Sequence, residues 1–254
     1  DFQRHRSACG LACLTLSTTL AHTVHFLRWL ERRDVTTPQQ INSDLLVAWR
    51  QEIYSGRHRF THLPLSPITI NLNLLSVRTF LTWLGRRGFV PTSFAAVMEP
   101  VRTRRRLPLP AMTHVEVRDM FRKISRDNAV DLTTAAIVEF LYTTGVRPCE
   151  LLKLDLSDIQ ADRRTVKILG KGGKERIVPI GRHARRILDV YIAAVRPILV
   201  RNSAEQALWV ESLHGRRMIY QVLADRIRAL RVRLGLPREF TLYTLRRTCA
   251  TELV

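Results

Sequence analysis

Acidic side chains are scarce in this sequence, which has 22 Asp and Glu residues against 41 Lys and Arg residues and a formal net charge of +19 at pH 7. The imbalance runs along the whole chain, with 15 cations against 6 acids in residues 1–110 and 26 against 16 in residues 111–254. Such an excess favours a polyanion as partner, because each cation that docks on a phosphate releases condensed counterions. Charge alone would also fit a ribosomal or otherwise generally basic protein.

Cysteine is rare as well, with four examples at Cys9, Cys13, Cys149 and Cys249. Their spacing matches no zinc-binding pattern, and four cysteines in 254 residues are too few for a disulfide framework. We therefore expect a reducing, cytoplasmic environment. The sequence also has no apolar run long enough to span a membrane, so no membrane partner is expected.

Lysine is the rarest cation, with five residues in the chain and none before Lys123. Arginine supplies the remaining positive charge, which suits bidentate contacts to phosphate groups. Because lysine is so rare, each one in this sequence is a candidate for a particular role.

The first hundred residues have the apolar spacing of helices. Ser17 or Thr18 can cap a first helix, a second is predicted after Thr37 with Pro38 in its first turn, and Ser66-Pro67 predicts the start of a third. Their predicted inward stripes are Leu20, Val24, Leu27 and Leu30; Ile41, Leu45, Leu46 and Trp49; and Ile70, Leu74, Val77, Leu81 and Leu84, with Asn71, Asn73 and Arg78 left outside the last one.

Residues 101–110 are predicted to be a linker, because Pro108 and Pro110 oppose a helix and the arginines before them favour solvent. After the linker, Thr113 and Glu116 form a capping-box pattern. The predicted elements that follow are a helix over 130–144 that ends at Gly145, a hairpin of 165–169 and 176–180, helices near 182–195 and 216–234, and a last helix from Thr241 with Leu242, Leu245, Cys249 and Leu253 on one face.

These patterns predict a mainly α protein with a small antiparallel β-sheet. We expect a helical domain over 1–100, the linker over 101–110, and a mixed α/β domain over 111–254.

Three segments place a cation at a structural boundary. They are TGVRPCELLKLDLSDI (144–159), LGKGGKERIVPI (169–180) and TLYTLRRTCATEL (241–253), with Arg147, Lys171 and Arg246 as the cations concerned. Taken singly, an arginine at a helix start is usually a surface ion pair, and a lysine in a hairpin turn is usually solvated.

Taken together and in this order, the segments resemble the tyrosine recombinase (phage integrase) family over nearly the whole chain. The resemblance extends to TLAHTVHFLRWLERRDV (19–35), SPITINLNLLSVRTFLTWLGRRGFV (66–90) and RRRLPLPAMTHVEVRDMF (104–121). It implies a SAM-like helical core-binding domain followed by the catalytic domain. It also implies duplex DNA as partner, a homo-tetramer on paired sites for the intact protein, and the cytoplasm of a bacterium as location.

The resemblance also assigns roles to single residues. Arg147 and Arg246 correspond to the two catalytic arginines, Glu150 to the acidic residue that supports the first, and Lys171 to the lysine of the hairpin. The implied reaction is attack by a tyrosine on a phosphodiester to form a 3′-phosphotyrosyl link, with no metal and no other cofactor. In this reaction the arginines stabilise the phosphorane and the lysine protonates the departing 5′-oxygen.

Two features depart from the family pattern. Tyr243 occupies the usual histidine position of the H-x-x-R motif, and a phenol can donate a hydrogen bond but is a poor base near pH 7. The tyrosine nucleophile would follow residue 254, so we expect this chain to lack it and to be inactive in cleavage. Four other tyrosines are predicted to be packing residues, namely Tyr54, Tyr142, Tyr191 and Tyr220.

Alternatives remain open from the sequence. The chain could be a non-catalytic DNA-binding relative of the recombinases, or a type IB topoisomerase, which shares the catalytic core. The histidine pairs His22/His25 and His58/His62 could in principle bind zinc, but polar positions facing DNA are favoured because no acidic or cysteine partner completes either pair.

Overall fold

The computed structural model describes residues 1–8, 13–57, 62–103 and 111–252, apart from the side chains of Ala8, Cys13, Leu14 and Lys171. The chain divides into two compact units, Asp1–Arg106 and Leu107–Val254. In the described ranges it is mainly α-helical with one two-stranded antiparallel sheet, so the predicted fold class is confirmed. No helix in these ranges is both long and apolar enough to cross a membrane.

The first unit is a small helical bundle. The predicted start at Ser66 is confirmed, because its Oγ accepts the N–H of Thr69 and Pro67 takes the first helical position. All five residues of the stripe predicted for this helix are buried. The helices are α1 (Phe2–Ala8), α2 (Cys13–Glu31), α3 (Ser43–Ser55), α4 (Pro67–Arg86) and α5 (Phe94–Val97).

The inward face of α2 differs from the prediction. Val24 and Leu27 are each 41% exposed, whereas Thr19, Thr23 and Phe26 are buried. The two threonines tolerate burial because their hydroxyl groups donate to main-chain carbonyls one turn earlier, so no polar group is left without a partner. The helix also begins at Cys13, so the predicted caps Ser17 and Thr18 lie inside it.

Two further details of this unit were predicted wrongly. The helix expected after Thr37 is interrupted: Pro38–Gln40 forms a single 3-10 turn, and α3 begins later because the Asn42 side chain caps it by accepting the N–H of Leu45. Asn73, placed outside the inward stripe, is buried and donates to the carbonyl of Thr69.

The second unit is arranged around α7, which is buried along most of its length. The predicted capping box of Thr113 and Glu116 is confirmed, as is the end of α7 at Gly145, which adopts φ +57°. The elements are α6 (His114–Lys123), α7 (Ala129–Thr144), α8 (Pro148–Leu151), β1 (Thr165–Leu169), β2 (Glu175–Pro179), α9 (Arg182–Val190), α10 (Arg196–Leu199), α11 (Tyr220–Arg233) and α12 (Leu242–Glu252).

The hairpin of β1 and β2 forms as predicted, with β2 one residue earlier than expected. Its inner face carries Val166 and Ile168 from β1, paired with Val178 and Arg176 from β2. A lysine-containing turn, Lys171–Gly173, joins the strands. The sheet therefore presents one arginine on the side that faces the rest of the unit.

The predicted helices 182–195 and 216–234 have different limits in the structure. The first continues through a π-helical turn at Tyr191–Val195 into α10. The second begins only at Tyr220, because the chain before it pairs with an extended segment: the N–H of Met218 donates to the carbonyl of Trp209 and the N–H of Glu211 to that of Arg216. Of the last predicted face, Leu242, Leu245 and Cys249 are buried, and Leu253 lies outside the described residues.

The linker prediction for 101–110 falls largely on residues 104–110, including Pro108 and Pro110, which also lie outside the described ranges.

Gly145 should be the least replaceable glycine at a helix end in this unit. A Cβ there would lie 3.0 Å from the Cys249 Sγ, in addition to the backbone strain of φ +57°. Gly235 is a matched control, since it has φ +62° with nothing within 4 Å of an added Cβ. Both Gly→Ala variants should lose about 1–2 kcal/mol from the backbone, and Gly145→Ala at least about 1 kcal/mol more from the contact. Equal losses in urea unfolding would contradict this account.

Candidate active site

The last helix is anchored against the end of α7. The guanidinium of Arg246 donates a hydrogen bond to the carbonyl of Gly145, and Gly145 lies within van der Waals reach of Cys249, one turn further along α12. Thr248 adds a second anchor, because its hydroxyl accepts the N–H of Met112. Gly145 precedes Arg147 by two residues, so the bond to Gly145 holds Arg246 at the same corner after α7 as Arg147.

That corner contains a buried carboxylate, Glu150, which is 5% exposed. It accepts the main-chain N–H of Arg147 at 2.9 Å and the Arg147 guanidinium at 2.9 Å. It also accepts both terminal nitrogens of Arg176, at 3.1 and 2.7 Å. We call Arg147, Glu150 and Arg176 the Glu150 cluster. Both oxygens of the carboxylate are fully used, so the two guanidinium groups are fixed relative to each other.

The charge of Glu150 is strongly stabilised. Burial by itself would raise the pKa of the carboxyl, but the hydrogen bonds from Arg176 and then from the Arg147 main chain and side chain outweigh it and lower the pKa to about 2. Glu150 is therefore an anion at every physiological pH. It cannot act as an acid or base near neutrality, and its effect is to position the arginines.

The hairpin reaches this cluster through Gly170. A Cβ there would lie 3.2 Å from the Arg176 guanidinium and 3.6 Å from the Glu150 carboxylate, so the missing side chain permits the close approach. Gly170 is followed directly by Lys171, whose backbone begins the turn at Lys171–Gly173. The main chain of Lys171 therefore starts at the edge of the Glu150 cluster, while its side chain is outside the described part of the structure.

Arg147 keeps donors available for a ligand. It stands before the first residue of α8, and its side chain is 47% exposed with one guanidinium nitrogen bonded to Glu150. The main-chain groups of this turn are less available than the sequence indicated, because the N–H of Arg147 is taken by Glu150 and those of Glu150 and Leu151 by the Arg147 carbonyl. An anion here would contact guanidinium groups more than backbone.

Tyr243 lies in the first turn of α12, three residues before Arg246, and is 51% exposed. Residues three apart share one side of a helix, so the phenol and the Arg246 guanidinium project from the same side. The exposed hydroxyl is in a position to donate a hydrogen bond to a ligand.

Arg176 is the residue of this site that the sequence analysis missed. The available signal was the alternation of β2: Arg176 and Val178 share the inner face of the hairpin, and an arginine at an inward position demands an anionic partner. Glu150 supplies it.

The other tyrosines are unlike one another. Tyr191 is fully buried, with its hydroxyl donating to the carbonyl of Leu208, and burial raises its pKa to about 12. The Tyr142 hydroxyl donates to Glu252. Burial raises the pKa of Tyr142 most, and this hydrogen bond raises it further. Tyr54 and Tyr220 are 41% and 52% exposed, so the prediction that they are packing residues is wrong.

The structure gives the histidine pair of α2 ordinary partners. His22 Nδ1 lies 3.1 Å from the Ser76 hydroxyl, and the His25 ring packs edge-on against Trp49 at 5.0 Å. Burial lowers the pKa of both rings. Within 1–8, 13–57, 62–103 and 111–252, no three His, Cys, Asp or Glu side chains are grouped to hold a metal ion; His58 lies outside these ranges.

The chain is similar to known proteins over most of its length. A model of the phage integrase family matches residues 110–254. The tyrosine recombinase XerD of Oceanobacillus iheyensis is 30% identical over 246 residues, which cover 96% of this chain and 80% of the relative. The tyrosine recombinase XerC of Shewanella oneidensis is 31% identical over 238 residues, which cover 92% of this chain and 74% of the relative.

Solved structures share the fold. A lambda integrase dimer bound to a core site has a TM-score of 0.69 at 15% identity, covering 98% of this chain and 86% of that one. The XerH site-specific recombinase in a post-cleavage complex has a TM-score of 0.68 at 18% identity, covering 98% of this chain and 71% of that one.

Replacing Glu150 by glutamine should destabilise the protein by about 2–3 kcal/mol at pH 7, because two arginines lose their charged acceptor. The folded pKa of about 2 is below the value of 4.5 for a free glutamate, so this stability is complete above pH 4.5 and is lost as the pH falls towards 2. Urea unfolding between pH 7 and pH 3 should show the gap between Glu150→Gln and the parent narrowing below pH 4.5.

The matched control is Glu175→Gln, on the same hairpin. Its carboxylate is 60% exposed and lies 3.7 Å from Lys167, so its replacement should change stability little at any pH. A gap for Glu150→Gln that stayed constant with pH would show that the carboxylate is not the source of the stability.

Proposed function

The chain belongs to the phage integrase family of tyrosine recombinases, and from this premise we propose that it is a site-specific DNA recombinase whose catalytic cations are Arg147, Lys171 and Arg246. The observation that carries the proposal is the convergence of Arg147 and Arg246 on the corner after α7, beside the turn that contains Lys171. Duplex DNA is the proposed substrate, in keeping with the net charge of +19.

In the proposed reaction a tyrosine oxygen attacks the phosphorus of one DNA strand, and its phenolic proton passes to water. A new P–O bond forms to the tyrosine as the bond from phosphorus to the 5′-oxygen breaks, which leaves a 3′-phosphotyrosyl link. Arg147 and Arg246 donate hydrogen bonds to the non-bridging oxygens, whose negative charge grows in the phosphorane. Lys171 gives its proton to the departing 5′-oxygen.

Glu150 and Arg176 are positioning residues in this proposal. Glu150 holds Arg147 from two directions, main chain and side chain, and Arg176 fastens the hairpin with Lys171 to the same carboxylate. The arrangement pre-orients the cations before DNA arrives, so little reorganisation is needed when charge develops. The supporting role of Glu150 therefore extends to the hairpin as well as to Arg147.

The five tyrosines of this sequence offer no convincing nucleophile. Tyr191 is buried, Tyr142 is bonded to Glu252, and Tyr54 belongs to the first unit. Tyr220 and Tyr243 are exposed, and Tyr243 is assigned here to phosphate binding. We therefore propose that residues 1–254 bind DNA through Arg147, Arg246 and the wider cationic surface without forming a covalent adduct by themselves.

A second candidate is a DNA-binding relative that has no catalytic role. Tyr243 favours it, because a phenol replaces the family's usual histidine at a position where a base would be useful. The protein is further proposed to act as a homo-tetramer on paired sites. A lambda integrase tetramer is known bound to a Holliday junction, and the same assembly for this protein remains part of the proposal.

The function is tested with a nicked duplex whose sequence is selected from random DNA by binding to this chain. Residues 1–252 followed by a C-terminal segment of family pattern that supplies a tyrosine should form a covalent adduct with it. Arg147→Ala and Arg246→Ala should each reduce the adduct rate by about 10²–10³ and leave binding nearly unchanged. Arg164→Ala, an exposed arginine of the same unit, is the control. Unchanged rates in both site variants would show that the wrong residues are assigned.

Variants of Tyr243 in the same assay distinguish two interpretations of this residue, as an adapted phosphate ligand or as a position that has lost its function. If Tyr243 donates a hydrogen bond to the phosphate, Tyr243→Phe should lower the adduct rate about tenfold or more, and Tyr243→His should leave it unchanged or lower it. If Tyr243 marks decay, Tyr243→His should raise the rate and Tyr243→Phe should match the parent. Adduct formation in denaturing gels gives both comparisons directly.

A further inference from the structure

The second unit has a further cationic region besides the corner at Arg147 and Arg246. It is a groove of about 690 Å³ formed by α6, α7 and the start of α9, and we call it the α6–α7 groove. It shares no residue with the Glu150 cluster or with Arg246. Its volume is in the range of about 300–1,000 Å³ that is usual for small-molecule sites. Its charged lining includes Arg118, Arg122, Arg126, Arg182 and Glu139.

Glu139 is the one carboxylate among these cations. It is 8% exposed and lines both this groove and a smaller hollow beside it. Its carboxylate accepts no hydrogen bond from any residue that the structure describes, although Arg126 is close enough to stabilise its charge. The Glu139 oxygens are not among the enclosed side-chain atoms without a partner in the described residues, so they open on the groove. A ligand that brings N–H donors can take the place of water there.

The groove also has an aromatic wall. The rings of Phe121 and Tyr142 meet edge to face at 5.4 Å, and both side chains are half-buried in the lining. The Tyr142 hydroxyl is occupied by Glu252, which leaves the ring in a fixed orientation. Aromatic faces of this kind stack on nucleobases.

Three kinds of group therefore meet in one groove: arginines that suit phosphate, rings that suit a base, and a carboxylate that suits an amino group. We propose that the α6–α7 groove binds a nucleotide whose base carries an exocyclic amino group. In this assignment Glu139 accepts from the amino group, Phe121 and Tyr142 contact the base, and Arg122 with its neighbours contacts the phosphate. The nucleotide could be free or part of a single strand, since both present the same chemistry.

The first test measures by calorimetry the affinity of the 254-residue chain for three ligands. They are AMP, inorganic phosphate, and purine riboside 5′-monophosphate, which differs from AMP only in lacking the amino group. AMP should bind at least about tenfold more tightly than the purine riboside compound, because it alone donates to Glu139. Equal affinities of these two nucleotides would overturn the role of Glu139, and equal affinities of all three ligands would overturn the nucleotide site.

Variants test the two halves of the groove separately. Glu139→Met removes the acceptor at similar volume, and should abolish the preference for AMP without unfolding the protein, because the buried carboxylate contributes no hydrogen bond to the fold. Arg122→Ala should weaken both nucleotides alike. Arg164→Ala is its control: both arginines are exposed and lie 3.9 Å from a neighbouring aspartate, at Asp119 and Asp162 respectively.

A loss of affinity in Arg164→Ala as large as in Arg122→Ala would show that the chain attracts anions over its whole surface and would overturn the site. A short single strand of adenine nucleotides distinguishes a free nucleotide from single-stranded nucleic acid as the ligand. Binding much tighter than AMP, with the same dependence on Glu139, identifies a single strand as the ligand, and equal binding identifies the free nucleotide. Duplex binding measured in parallel reports on the recombinase function alone, so the two proposals can fail independently.

Discussion

A single buried carboxylate determines the geometry of the second unit's cationic corner. Glu150 accepts hydrogen bonds from the Arg147 main chain, the Arg147 side chain and both terminal nitrogens of Arg176. Two arginines so close together would repel each other without it. Because the carboxylate is 5% exposed, the cluster cannot rearrange cheaply to put water in place of either arginine. The position of the hairpin and that of α8 therefore depend on one another through one side chain.

The second constraint is steric and lies at Gly145. A left-handed residue ends α7 there, and a Cβ would lie 3.0 Å from the Cys249 Sγ, so a larger residue would have to displace that side chain. The free carbonyl of this turn then accepts the Arg246 guanidinium. A helix end thus supplies both the space and the acceptor that bring α12 to the corner. The two arginines converge because one follows this turn in the chain and the other is bonded to it.

The sequence was sufficient where local chemistry decides the structure. The cap at Ser66, the capping box of Thr113 and Glu116, the end of α7 at Gly145 and the hairpin are all determined by neighbouring residues, and all were predicted. Prediction from the sequence failed where the hydrogen bonding of polar side chains decides which face of a helix is buried. The inward face of α2 includes two threonines, because each hydroxyl is bonded within its own helix, and periodicity of apolar residues cannot register this.

The site was predicted to a similar extent and for similar reasons. Arg147, Glu150 and Arg246 were identified through a resemblance of motifs, and the structure brings them to one corner, but their catalytic roles stay predictions. Arg176 was missed because its importance comes from a partner 26 residues away. The contrast with Glu139 follows from the same physics. Both are buried carboxylates among arginines, but Glu150 has all its hydrogen bonds within the chain, whereas Glu139 has none from the described residues. A carboxylate whose hydrogen bonds all lie within the chain organises its surroundings, and one whose oxygens open on a groove is available to a ligand.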